Sequence, residues 1–303
     1  MIERCAGLFM ESTTQTAYAV LGDSLRVNCV INNRTGVDVS NIRVSGFGET
    51  ASIDSVATNT QKQLSKTYFI ANDPKLILQT QPYWIREAME PGSFDVRDQE
   101  LIGEAENGPL TTLFALDIYG TTFRFFKPLQ YKHTDPVKGE LFQPLLYAAP
   151  LSFSPRQSLL VSKNAAVKTS SAEVVAYRDT RLTDPKLVSQ VPVISNGAKV
   201  DINLSGMGVT FLKKTEHKSF PVQVKTGINH LGAQENSNGY NQQLRSINYD
   251  HIPSIHYYRN AIITHRNINV SISGKRVGYI VGAGDKVPEA LEQMGYEVQL
   301  LTE

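Results

Sequence analysis

Cysteine is scarce in this chain: only Cys5 and Cys29 occur among its 303 residues. Two thiols are too few for a disulfide framework, and their spacing fits no metal-binding pattern. Cys29 falls in the strand-like Leu25–Ile31 and reads as a small apolar core residue. Long apolar runs are missing as well. None approaches the roughly 20 residues that span a bilayer. Ala17–Leu21 is too short for the core of a signal peptide. Nor does one charge dominate, because 30 basic and 29 acidic residues leave a formal net charge of +1. Phosphate neutralisation drives nucleic-acid affinity, and polybasic patches drive binding to membrane surfaces. Neither nucleic acid nor a membrane is therefore expected as a partner.

Catalytic signatures are absent too. The sequence holds no Gly-x-x-x-x-Gly-Lys-Ser/Thr, no Gly-x-Ser-x-Gly, no His-Glu-x-x-His and no Cys-x-x-Cys. Its six histidines, His133, His217, His230, His251, His256 and His265, pair with no carboxylate at a ligand spacing. A closed zinc site needs three or four convergent ligands, so no metal or other cofactor is expected. His251 and His256 flank Pro253 and read as surface histidines near a loop. Gly282-Ala-Gly-Asp285 looks like half a dinucleotide fingerprint without its third glycine, and reads as a small-residue turn from strand to helix.

What the chain does have is strand pattern. Hydrophobic residues make up 41% of it, enough to build real cores, and its length suits two domains. Leu25–Ile31 alternates apolar and polar residues, the mark of a half-buried strand. Turn residues follow at Asn32–Gly36, and Val37–Val44 resumes the alternation after one irregular step. Asn72-Asp-Pro74 predicts a turn between Thr67–Ala71 and Leu76–Leu78. Thr112–Ile118 and Thr122–Phe126 flank Tyr119-Gly120, a two-residue hairpin turn. Short helical turns are expected at Pro82–Met89. Beyond the prolines at 144, 150 and 155, strand patterns return at Ala172–Arg178, Val188–Ile194, Val209–Lys213, Phe220–Val224 and Ile262–Ile272. Gln234–Gln243 reads as a loop by composition.

The last 28 residues change character. Val277–Val281 and Glu297–Leu301 read as strands around a helix over Val287–Met294, which Gly295 stops. Strand–turn–helix–strand is the opening of a parallel α/β sheet. The fold class expected is mainly β: two antiparallel β-sandwich domains plus a short C-terminal βαβ stub, with boundaries at 1–152, 153–274 and 275–303.

Two polar stretches are candidate contact sites. In the first, Tyr83, Trp84, Arg86 and Glu87 surround the only tryptophan. Such a group can stack on and hydrogen-bond a sugar. It can equally pin a loop, with Trp84 buried and Arg86 bonded to Glu87, Asp98 or Glu100. In the second, Lys132, Asp135, Lys138 and Glu140 lie in a dense polar loop. That loop is either a solvated connection or a surface for a neighbouring domain.

Several runs carry a family likeness. Pro82-Tyr-Trp-Ile-Arg-Glu87, Asp98-Gln-Glu-Leu-Ile-Gly103 and Thr134-Asp-Pro-Val-Lys-Gly-Glu140 resemble the region downstream of the catalytic domain in large bacterial PIG-L (LmbE-like) family deacetylases. Cys5-Ala-Gly-Leu8 and Gly22-Asp-Ser-Leu25 are similar to the start of that region. Arg276–Leu291 is similar to its junction with an amidotransferase-like α/β domain. The resemblance implies a parent protein that removes N-acetyl groups from sugars outside the cytoplasm. Its zinc would be held by an N-terminal Rossmann-like domain bearing Ala-His-Pro-Asp-Asp. No residue here matches that motif, so no catalytic residue carries over. The implied role is a non-catalytic interaction and spacer region. Its partners would be other domains of the same chain. The alternatives are a carbohydrate-binding module and a hydrolase in its own right.

Overall fold

The computed structural model describes residues 1–301, apart from 88, 90, 105–109, 166, 179, 183–185, 190–199, 204–208, 212–215, 236–237, 250, 253, 270 and 283. The protein is mainly β. It divides into two compact units, Met1–Pro150 with Arg245–Tyr257, and Leu151–Leu244 with Tyr258–Glu303.

Unit 1 opens with a helical turn, α1 (Ile2–Cys5), followed by β1 (Leu8–Thr14), β2 (Tyr18–Val20) and β3 (Ser24–Asn33). Then come β4 (Val39–Gly46), β5 (Glu49–Ser55), β6 (Thr60–Phe69), β7 (Thr111–Ile118), β8 (Thr121–Asp135), β9 (Gly139–Pro144) and β10 (Leu146–Ala148). Eight of these strands form one sheet in the order β5-β4-β7-β8-β1-β3-β6, with β9 also on β8. The long β8 serves two neighbourhoods. Its residues up to Pro128 pair with β7, and those from Leu129 onward pair with β1 and β9.

The alternation expected in β3 is present: Leu25, Val27, Cys29 and Ile31 are buried. Ile42 and Val44 of β4 and Phe114 and Leu116 of β7 are buried as well. Burying each such side chain contributes about 1.5–3 kcal/mol. The irregular step in β4 is a bulge. Asn41 has φ +49, and the register with β7 shifts between Ser40 and Arg43. The β7–β8 turn is as expected, with φ +49 at Tyr119 and +77 at Gly120, a type I′ turn.

Unit 2 contains β11 (Leu151–Pro155), β12 (Leu159–Ser162), β13 (Val167–Ala176), β14 (Thr180–Leu182), β15 (Lys186–Ser189), β16 (Val200–Asn203), β17 (Val209–Phe211) and β18 (Glu216–Lys225). β19 (Gly227–His230), β20 (Ala233–Glu235), β21 (Asn238–Tyr240), β22 (Gln242–Ile247), β23 (Ile255–Asn260) and β24 (Ile262–Asn267) follow. β22 and β23 pair, and the chain between their midpoints groups with unit 1. The larger sheets run β11-β13-β18 and β12-β24-β19. Phe153, Ala172, Val222, Val224 and Ile263 are buried in this unit. Pro221 sits in β18 at a sheet edge, where a residue without an N–H is tolerated. The chain then closes with β25 (Arg276–Ile280), helix α2 (Val287–Met294) and β26 (Glu297–Leu301). Strands β25 and β26 pair in parallel. Gly295 at φ +105 completes a Schellman motif, with Tyr296 N–H bonded to Leu291 O at 3.1 Å.

Three expectations need correction. The sheets are not wholly antiparallel, because β1–β8, β2–β10 and β12–β24 pair in parallel. Leu76–Leu78 is not a strand but part of a 3-10 helix over Pro74–Thr80. Asp73 caps it, accepting from Lys75 N at 3.0 Å, and Pro74 fills the first helical position. Gln234–Gln243 is not all loop: parts of it lie in β20, β21 and β22. Buried Tyr240 anchors that stretch, and Gly232 passes so close that a Cβ there would stand 2.6 Å from Tyr240 O. Of the other strand expectations, residues 190–194, 212–213 and 270 fall outside the described residues.

Candidate functional site

The tryptophan stretch follows the Pro74–Thr80 helix directly. Thr80 and Gln81 are buried at its end, and Tyr147 N donates to Thr80 Oγ1 at 3.2 Å. A 3-10 turn then covers Tyr83–Ile85. The Tyr83 ring meets Trp84 edge to face, 5.0 Å between centroids and 89° between planes. Tyr83 Oη accepts from Gly103 N at 3.2 Å, which draws the far end of the loop back. Trp84 itself is partly buried. Ile77, Thr80 and Gln81 just before it are fully buried.

Arg86 departs from expectation. Its Nε donates to Gln81 O at 3.2 Å, a bond inside its own turn. Glu87 instead pairs with Arg97, Nη2 to Oε2 at 3.1 Å. Asp98 caps the Gln99–Leu101 turn by accepting from Glu100 N at 3.1 Å. Two of the three carboxylates expected for Arg86 are thus engaged elsewhere. Nothing in the sequence marked Arg97 over Arg86 as the partner of Glu87.

The second stretch is not a loop but a β-hairpin, because β8 runs on through Asp135 and β9 begins at Gly139. Asp135 Oδ1 accepts from Val137 N at 2.8 Å and Lys138 N at 2.7 Å. These bonds, that from Lys138 first, hold its carboxyl below the ordinary aspartate value. Gly139 at φ +80 completes the turn. Lys138 is exposed at the tip. Lys132 stands across from Phe142 in the ladder, with its Nζ 5.2 Å from that ring's centre. The same Nζ lies 3.1 Å from Glu140 and 3.8 Å from Glu11. Tyr131 and His133, on the other face, stack at 4.7 Å and 11°. Phe142 could have been found from the hairpin register. Glu11 could not, since β1 joins β8 across more than a hundred residues.

The remaining titratable groups are dispersed. His256 Nδ1 shares a 2.7 Å hydrogen bond with Ser246 Oγ, and burial pushes its imidazole below the ordinary histidine value. His251 lies against Tyr249, 5.7 Å between ring centres. Among the described residues no three His, Cys, Asp or Glu gather to hold a metal ion. Cys29 is buried and not disulfide-bonded, and Cys5 is exposed. In the Gly282 turn, Asp285 Oδ2 accepts from Gly282 N at 3.1 Å and from Tyr279 Oη at 2.8 Å. The Gly282 N–H is thus already taken by a side chain of the same turn. An open cleft of about 310 Å³ at the β4 bulge is lined by Asn41, Arg43, Ser52 and Asp54 together with Ile42 and Ile53. No helix among the described residues is long and apolar enough to cross a membrane. No protein-family model and no curated protein matches the chain.

Proposed function

We propose that this chain is a non-catalytic interaction and spacer region, built from two β-sandwich units and a C-terminal βαβ element. In unit 1, β8 would cross from a layer with β7, β4 and β5 to a layer with β1, β3 and β6. The family whose downstream region it resembles suggests that it holds a zinc-dependent sugar deacetylase domain against an amidotransferase-like domain. The observation that carries the reading is what the polar candidates do. Asp135 and Asp285 bond within their own turns, Lys132 and Glu140 bridge across their hairpin, and Glu87 pairs with Arg97. They converge on no common point at which a substrate could be turned over.

A second reading has its own support. Trp84 is partly exposed beside Tyr83, an arrangement that can take the face of a sugar ring. One experiment separates the two: thermal melting of Trp84→Ala beside titration with N-acetylglucosamine oligomers. The spacer reading expects no saturable binding by the parent chain and a loss of about 1–2 kcal/mol, below the range for fully buried tryptophans. Binding that Trp84→Ala abolishes, with an unchanged melting temperature, would establish the carbohydrate module instead.

A further inference from the structure

Strand β12 lies at the edge of the order β12-β24-β19. In its parallel ladder with β24, Ser158 O accepts from Thr264 N at 2.8 Å and Ser162 O from Ile268 N at 2.9 Å. Alternate residues of such a strand turn their peptide groups to opposite sides. Leu159 and Val161 therefore present theirs to the outer edge. An open edge of this kind invites another strand.

Side chains close it. Val161 N donates to Gln293 Oε1 at 2.6 Å, and Gln293 Nε2 donates to Leu159 O at 3.4 Å. Lys168 Nζ donates to Val161 O at 2.8 Å. A primary amide offers the same donor and acceptor as a peptide group, so Gln293 stands where one residue of a neighbouring strand would. Gln293 belongs to α2, which has no fully buried residue. A crevice of about 150 Å³ lined by Leu159, Glu289, Ala290 and Gln293 runs beside it. The helix is therefore not held against β12 by close apolar packing.

We propose that Gln293 is a latch. It completes the outer edge of β12 as a one-residue strand mimic. In doing so it couples the docking of β25-α2-β26 to closure of that edge. Release of the helix frees Val161 N and Leu159 O at that edge.

Amide hydrogen exchange on the full chain tests this. In Gln293→Ala, exchange at Val161 should rise about tenfold. The backbone of α2 should exchange faster as well. Gln293→Glu, which keeps the acceptor and loses the donor at neutral pH, should fall between. Glu292→Ala, an exposed neighbour, should change neither. Unchanged exchange at Val161 in Gln293→Ala would overturn the proposal. So would an equal rise in Glu292→Ala. Faster exchange throughout, at Ile31 and Phe153 as much as at Val161, would mark general destabilisation and overturn it too.

Discussion

Asn33 allows the sharpest test of what holds unit 1 together. It ends β3, is 1% exposed, and is the last member of the alternation that buries Leu25, Val27, Cys29 and Ile31. Its Nδ2 donates to Val37 O at 2.8 Å and to Val56 O at 3.1 Å, and its Oδ1 accepts from Gly36 N at 3.0 Å. One side chain thus closes the β3–β4 turn and ties it to the end of β5. Asn33→Asp keeps the shape and the acceptor but replaces both donors with an oxygen facing two carbonyl oxygens. Each buried carbonyl left without a donor costs about 1–3 kcal/mol. A buried carboxylate without a partner adds a desolvation cost and would drive its own pKa upward. We expect a loss of about 3–5 kcal/mol at neutral pH, in line with breaking a buried charged pair. For a unit of this size that lowers the melting temperature by about 6–20 °C.

The assay is intrinsic fluorescence, because the one tryptophan, Trp84, lies in unit 1 and reports its unfolding. The pH dependence has a defined sign. A carboxyl whose folded pKa is raised is least harmful below its unfolded value near 3.9, and the penalty grows as pH rises through the folded value. The gap between variant and parent should therefore narrow on acidification. A melting temperature within about 2 °C of the parent at neutral pH, or a penalty that does not vary with pH, would refute the reasoning.

Two further outcomes are expected. His230 and His256 are both held below the ordinary histidine value by burial. The unfolded chain, titrating near pH 6.5, binds more protons over that window, so stability should fall between about pH 7 and pH 5. His230→Asn with His256→Asn should flatten the slope of melting temperature against pH, and a parent whose stability rises on acidification would contradict the account. Tyr119 holds φ +49 in the β7–β8 turn and is 72% exposed. Tyr119→Asn, which suits the left-handed region, should stabilise by about 0.5–1 kcal/mol in urea unfolding, and a loss would mean that the ring packs more than its exposure indicates.

How much of this was legible in the sequence depended on distance along the chain. The β7–β8 hairpin, the β3 alternation and the helix over Val287–Met294 ending at Gly295 were readable because every residue that decides them is local. Asp73-Pro74 was misread because the same dipeptide opens a helix as readily as it turns a chain, and only what Ile77 packs against decides which. The strands within Gln234–Gln243 were hidden by a polar composition whose one apolar anchor, Tyr240, is a single residue. The parallel pairs β1–β8 and β2–β10 join segments more than a hundred residues apart, and no turn signal encodes them. The site residues divide in the same way. The turn around Asp135 was foreseeable, whereas the salt bridge from Lys132 to Glu11 was not.

The aspartates carry one more argument. Asp73, Asp98, Asp135 and Asp285 each accept a backbone N–H from within three residues of themselves. Each lies at the start of a turn or helix, where the backbone has donors without partners. One of them, Asp135, belongs to the dense polar run that the sequence offers as a contact surface. A carboxylate in that position is held in its own turn, and a ligand would have to displace those bonds to use it. Clusters of acidic residues in a strand-rich chain therefore gain weight as binding sites only after their turn-capping members are removed. Of the glutamates among the candidate residues, Glu87 is bridged to Arg97 and Glu140 to Lys132. A partner domain that docks on these faces would compete with those bridges. Raising ionic strength should therefore weaken the bridges and the competing contact together, instead of shifting the balance between them.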